Sequence, residues 1–280
     1  MVSQKLYEEL EGRIKFVNEE PPSDNQIYEI LTKYVAKWFR DTFGSFTLPQ
    51  RYAIPRIKNG KNVLVFSPTG TGKTLAAFLA IINDLYELGE KGKLEDKVYC
   101  VYVSPLRALS NDIRKNLLVP LGGIRNVADE MGITLPEVRA LVRTGDTPQY
   151  ERSKMVKRPP HILITTPETL AIVLNAPKFK EKLSEVKWVI IDEVHELSSN
   201  KRGAHLSLAL ERLAYFSGNF TRIGLSATQA PVEEIAKWLV GYENDESRQC
   251  DIVKIPAIKM LNLKVICCLL YTSPSPRDRG

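Results

Sequence analysis

Nowhere does the chain hold the roughly 18 uncharged apolar residues in a row that a membrane-spanning helix needs, and its first residues, with Lys5, Glu8, Glu9 and Glu11, lack the apolar region of a secretory signal. Both absences argue against a membrane partner and point to the cytoplasm. Cysteine is scarce. Cys100, Cys250, Cys267 and Cys268 show no metal-ligand spacing, so neither a zinc site nor a disulfide is expected, and Cys100, inside an apolar run, reads as a buried free thiol. The body of the chain also lacks internal repeats and low-complexity tracts. What remains is ordinary for a globular protein: 280 residues, 44% hydrophobic and 26% charged, enough for one large domain or two small ones. The 39 basic against 33 acidic residues give a net charge of +6 and a pI near 9.0, which suits a polyanionic partner.

Apolar, β-branched runs occur at 62–66, 98–103, 138–142, 161–164, 188–191 and 222–225, each followed by a turn and usually by a helix-like segment. Strands alternating with helices predict an α/β fold with a parallel sheet covered on both faces. The run "KWVIIDE" is apolar almost throughout, as a mid-sheet strand should be. Residues 27–43 and 203–215 carry apolar side chains at helical spacing and read as helices packed on the sheet.

Ligands of open α/β sheets bind beyond the carboxyl ends of the strands. After the first run stands "SPTGTGKT", residues 67–74, which meets the phosphate-binding pattern G-x-x-x-x-G-K-[ST] except at its first position, where Ser67 stands for glycine. Gly70 and Gly72, with Thr69 and Thr71 between and around them, let the backbone turn consecutive amides toward a phosphate. Lys73 reaches the β and γ oxygens, and the Thr74 hydroxyl can ligate Mg2+. The run at 188–191 ends in "DEVH". An aspartate at the end of a buried strand is costly unless it serves a cation, so Asp192 is read as the magnesium-side carboxylate, and Glu193 as the group that polarises the attacking water. These are the parts expected of a P-loop protein that hydrolyses a nucleoside triphosphate.

In chain order, "SPTGTGKT", "SPLRALSNDI", "TGD", "TTPETL", "DEVH" and "SAT" resemble motifs I, Ia, Ic, Ib, II and III of superfamily 2 helicases, and "DEVHELSSNKRGAHLSLALERL" looks most like the large helicase-related (Lhr) group. The resemblance spans residues 50–228. It implies a RecA-like ATP-binding domain over 46–258, preceded by a helical lead-in over 1–45. "FTLPQRYAIPRIKNGKNVL" is similar to the family's Q motif, so Gln50 is expected at the adenine. Ser104, Pro105, Arg107, Gly145, Asp146, Thr166 and Thr169 resemble positions that hold the backbone of a single strand, DNA or RNA, with little base preference. His195 and Ser226, Ala227 and Thr228 resemble the elements that couple the nucleotide and nucleic-acid sites. The family's motors need a second RecA-like domain whose arginines complete the ATP pocket, and no arginine-finger motif follows Thr228. Residues 259–280 are expected to be a truncated end, and "CCLLYTSPSPRDRG" resembles read-through of a foreign sequence. The expected function is the ATP- and nucleic-acid-binding motor half of a helicase or translocase, weakly active alone. The alternative is a P-loop module that binds nucleic acid without catalysing unwinding.

Overall fold

The apolar runs become the strands of one sheet, because each is buried on both faces and finds its hydrogen bonds only in its neighbours. The structure, a computed structural model, describes residues 13–105, 113–227 and 231–256. Its elements are, in order, β1 (Ile14–Phe16), α1 (Asp24–Glu29), α2 (Lys33–Phe43), α3 (Leu48–Lys58), β2 (Val63–Phe66), α4 (Lys73–Glu90) and β3 (Cys100–Val103). A π-helical turn (Arg114–Leu118) then runs into α5 (Val119–Glu130), followed by β4 (Ala140–Arg143), α6 (Gln149–Lys157), β5 (Ile162–Thr165), α7 (Pro167–Val173), α8 (Pro177–Lys180) and β6 (Trp188–Ile191). Last come α9 (Val194–Ser198), α10 (Lys201–Ser217), β7 (Thr221–Ser226), α11 (Val232–Val240), a small hairpin of β8 (Tyr242–Glu243) and β9 (Glu246–Ser247), and β10 (Cys250–Lys254).

Eight strands form one sheet in the order β1-β10-β2-β7-β6-β3-β5-β4, every neighbouring pair parallel. Side chains alternate between two cores, as the twofold period of a strand requires. One core takes Val63, Val65, Cys100, Tyr102, Ile164, Ile190, Ile223 and Val253 together with α2, α3, α4 and α5. The other takes Leu64, Phe66, Val101, Val103, Leu163, Ile191 and Ile252 together with α7, α10 and α11. Helices on both faces of a parallel sheet are the architecture expected from the sequence, and β6 lies mid-sheet between β3 and β7. Cys100 and Cys250 are buried free thiols, and among the described residues no helix is long and apolar enough to cross a membrane.

Two strands of the main sheet, β1 and β10, were not foreseen, nor was the β8–β9 hairpin. Within the stretch expected to be a helical lead-in, Ile14–Phe16 pairs with β10, and β10 in turn pairs with β2. Three and five residues are too few to show a period, so nothing in the sequence separates them from loop. The helical run at 27–43 is also two helices: the first stops at Glu29 with Ile30 as its cap, and Thr32, extended at ψ 150°, opens α2. Residues 259–280 lie outside the described residues.

Ile252 is wholly buried in β10. Ile252→Ala should lower the unfolding free energy by about 2–5 kcal/mol in urea titrations. An unchanged midpoint would mean that β10 is not part of the cooperative sheet.

Candidate functional site

Strand β2 ends at Phe66 and α4 starts at Lys73, so residues 67–72 must reverse the chain in six residues. They do so through Gly70 and Gly72, whose φ values of 79° and 84° are left-handed. Gly72 is constrained twice, because a Cβ there would lie 2.4 Å from Nε2 of Gln50. The Gln50 side chain braces the loop: Oε1 accepts from the Thr47 amide at 2.9 Å, capping α3, and Nε2 donates to the Gly72 carbonyl at 3.4 Å. Thr47 adds a second tie, its hydroxyl donating to the Thr71 carbonyl at 2.8 Å. Ser67, in glycine's place, uses its hydroxyl on Thr71 Oγ1 at 2.7 Å, and Thr71 donates onward to the Pro68 carbonyl.

These loop residues line an open cleft of about 310 Å³ with Phe43, Thr69, Thr74, Lys115, Asp192 and Glu193. Lys73 is 6% exposed, and among the described residues its ammonium makes only a long 3.4 Å hydrogen bond to the Ser67 carbonyl. Asp192, 4% exposed, accepts from the Tyr102 hydroxyl at 2.5 Å and from the Glu193 amide at 2.9 Å. Glu193 sits at φ 49°, ψ 45°, a left-handed conformation unusual for its type, and its side chain does not cap the helix it opens. Burial raises the Glu193 pKa above its ordinary value, and the Asp192 charge raises it further, against the pull of His195 and Lys73. His195 Nδ1 lies 3.0 Å from Ser226 Oγ and 3.5 Å from Glu193 Oε2. The Ser226 carbonyl accepts from the Ser67 amide at 3.2 Å, so the end of β7 touches both the loop and the histidine.

The oxygen donors fit a hard divalent cation. Thr74 and Asp192 line one cleft, and among the described residues no cluster of three His, Cys, Asp or Glu could cage a metal by itself. Mg2+ favours such a sparse set, one or two protein oxygens completed by phosphate and water. A larger cavity of about 600 Å³ lies at the amino ends of the strands, around Arg13, Lys187 and Arg248. Arg13 is paired with Glu246, and Arg248 with Glu211, and it holds none of the phosphate-cradling residues.

The residues expected at a nucleic-acid strand follow β3, β4 and β5, which are neighbours in the sheet. Ser104 is buried and its amide donates to the Thr165 carbonyl at 3.2 Å; Pro105 follows it. Gly145 and Asp146 form an exposed turn after β4. Thr166 caps α7, accepting from the Thr169 amide at 3.4 Å and donating to its hydroxyl at 3.1 Å. Ala227 follows β7 directly. Arg107 and Thr228 lie outside the described residues. Sequence reading missed Thr47 and Tyr102. The "TLPQ" capping box could have flagged Thr47, whereas no local signal marks a mid-strand tyrosine as the partner of Asp192.

A parallel sheet with a glycine-turned phosphate loop facing a strand-end Asp-Glu pair defines a P-loop NTPase domain of the RecA-like kind. The pattern of the DEAD/DEAH box helicase family matches residues 47–235, and the chain belongs to that family. It is 60% identical over 254 residues to the ATP-dependent helicase Lhr-Core protein 2 of Thermococcus barophilus, covering 89% of this chain and 29% of that one. It is 58% identical to the ATP-dependent helicase Lhr-Core of Methanothermobacter thermautotrophicus over 88% of this chain and 28% of that one. A structure of the Mycobacterium smegmatis helicase Lhr bound to ssDNA and AMP-PNP superposes with a TM-score of 0.74 at 42% identity, over 82% of this chain and 28% of that one. The chain therefore spans less than a third of the length of these relatives.

Because the Glu193 pKa is raised, the folded chain holds that proton more tightly than the unfolded chain, and the folded state loses stability as pH rises through the raised value. Glu193→Gln, which cannot ionise, should raise the urea midpoint at pH 8 and leave it unchanged well below the ordinary value of 4.5. A midpoint at pH 8 no higher than the parent's would contradict this account of the cleft.

Proposed function

We propose that residues 46–258 form the ATP- and nucleic-acid-binding motor domain of an ATP-dependent helicase or translocase, working with a second RecA-like domain. The observation that carries this reading is the convergence of Lys73, Thr74, Asp192 and Glu193 on one cleft at the carboxyl rim of the sheet.

The loop amides at 70–74 and the Lys73 ammonium bind the β- and γ-phosphates of ATP, and Lys73 stabilises charge that develops as the terminal phosphate is transferred. Thr74 and Asp192 hold Mg2+, which when bound neutralises phosphate charge. The short bond from Tyr102 and the amide of Glu193 fix the Asp192 carboxylate in place. Glu193 orients the attacking water and accepts its proton. This requires its ionised form, so hydrolysis falls with acidification sooner than for an unperturbed carboxylate. Gln50 serves the adenine, with Phe43 beside it on the cleft wall. His195 and Ser226 transmit the state of the cleft to the end of β7, and Ala227 and Thr228 extend that element.

Ser104, Pro105, Arg107, Gly145, Asp146, Thr166 and Thr169 hold the backbone of a single strand through amides, hydroxyls and one guanidinium, which gives tracking with little sequence preference. An arginine from a second domain is worth roughly 10³–10⁵ in rate, so the 280-residue chain alone should hydrolyse ATP slowly.

Lys73→Ala should abolish binding of a fluorescent ATP analogue in the presence of magnesium, read by anisotropy on chains that circular dichroism shows to be folded. Equal affinity in parent and variant would refute the nucleotide assignment.

A further inference from the structure

Three arginines are buried among the described residues, and two of them are neutralised. Arg56 pairs with Asp251 at 3.0 Å and with Glu19, and Arg222 pairs with Glu211 at 2.9 Å. Arg143, the last residue of β4, is only 8% exposed, and among the described residues it has no carboxylate partner. Its Nη1 is buried without a hydrogen bond. The guanidinium lies over the Phe179 ring of α8, 4.4 Å from the centroid, a contact that leaves every N–H in the plane still to be satisfied.

That side chain lines a cleft of about 410 Å³ between α6 and α8, with Gln149, Arg152, Ser153 and Lys178 also on its wall and no acidic residue. Arg152 is held by the preceding turn, its Nε donating to the Thr147 carbonyl and its Nη2 to the Gly145 carbonyl, both at 2.7 Å. Neither Arg152 nor Lys178 forms an ion pair among the described residues. Burial, and then the like charge of Arg152, push the Arg143 pKa down. Two guanidiniums, an ammonium and a serine hydroxyl around one acid-free cleft present the donor set that a phosphate group accepts, in the forked geometry that arginine offers best. A buried, unpaired cation is otherwise costly.

We propose that Arg143, Arg152 and Lys178 form a phosphate pocket that takes one backbone phosphate of a nucleic-acid strand on the outer side of the Gly145–Asp146 turn. Its occupant rests on the proposed nucleic-acid role, while the pocket itself rests on the unpaired Arg143. The turn whose carbonyls anchor Arg152 is the turn expected to meet the strand, so a strand crossing it arrives at this cleft with its next phosphates. Free phosphate offers the same chemistry from another source, and the test separates the two.

Binding of labelled oligo(dT) to the 280-residue chain is measured against salt for the parent, Lys178→Gln and Arg143→Gln, alongside binding of the fluorescent ATP analogue. Each lost phosphate contact should lower the slope of log K against log salt by roughly 0.7 and weaken binding several-fold at low salt, with nucleotide affinity unchanged. Lys178→Gln alters an exposed side chain, so the test stands even where Arg143→Gln misfolds. A folded Lys178→Gln variant with the parent's slope and affinity overturns the proposal. If the parent binds the ATP analogue but no strand, the nucleic-acid reading has failed, and inorganic phosphate is then titrated while the 15N signal of the Arg143 guanidinium is followed. A shift would replace the strand with free phosphate as the ligand; no shift would overturn the pocket altogether.

Discussion

Parallel pairing in register is the constraint from which the site follows. Val103 is aligned with Thr165 and with Ile191, Thr165 with Arg143, and Phe66 with Ser226. Strands that run the same way and end in one row deliver every following turn to the same rim, whatever the distance between them along the chain. The rim has two halves. Turns after β2, β7 and β6 carry the phosphate loop, Ser226 and the Asp192–Glu193 pair, and turns after β3, β5 and β4 carry Ser104, Thr166 and Gly145. Tyr102 crosses the seam between them, rising from β3 to meet Asp192, which directly follows β6.

The cleft concentrates charge where water is scarce, and the three charged groups are treated differently. Asp192 accepts hydrogen bonds from the Tyr102 hydroxyl and the Glu193 amide and is fixed. Lys73 receives one long contact and is left able to turn toward another anion. Among the described residues Glu193 accepts no hydrogen bond of ordinary length at its carboxylate; it lies in a strained backbone conformation, and its ionisation is opposed by its surroundings. Strain and like charge at one residue are tolerated because the flanking elements, buried β6 and α9, determine its position regardless. In the proposed role of Glu193, function and stability would pull in opposite directions, as they commonly do at reactive centres.

What could be read in the sequence was what is local. The six apolar runs, the glycine-turned loop at 67–74 and the Asp-Glu pair each declare themselves within a few residues, and all six runs became strands with ends shifted by at most two positions. Contacts made across the sheet were not legible. Tyr102 looks like any strand aromatic until β3 is placed beside β6. Thr47 looks like a helix cap until the loop at Thr71 closes on it. Arg143 reads as the residue just past a strand, and its isolation appears only in three dimensions, where it has no carboxylate partner among the described residues. The short strands β1 and β10 are marked by composition no more than loops are, since their place is set by neighbours in the sheet: β10 covers the edge of β2, and β1 covers β10.

The pairing of β1 with β10 sets Ile14 beside Cys250, and β10 is the strand that joins β1 to the rest of the sheet. A ribosome adding roughly 5–20 residues per second takes on the order of 10–50 s to pass from one partner to the other. During that interval the first strand is made but has nothing to pair with, and the edge of β2 that will receive β10 stands open. Folding of this domain thus ends with its last strand, and the nascent chain carries an uncovered sheet edge, which is a template for pairing with the wrong neighbour, until that strand emerges.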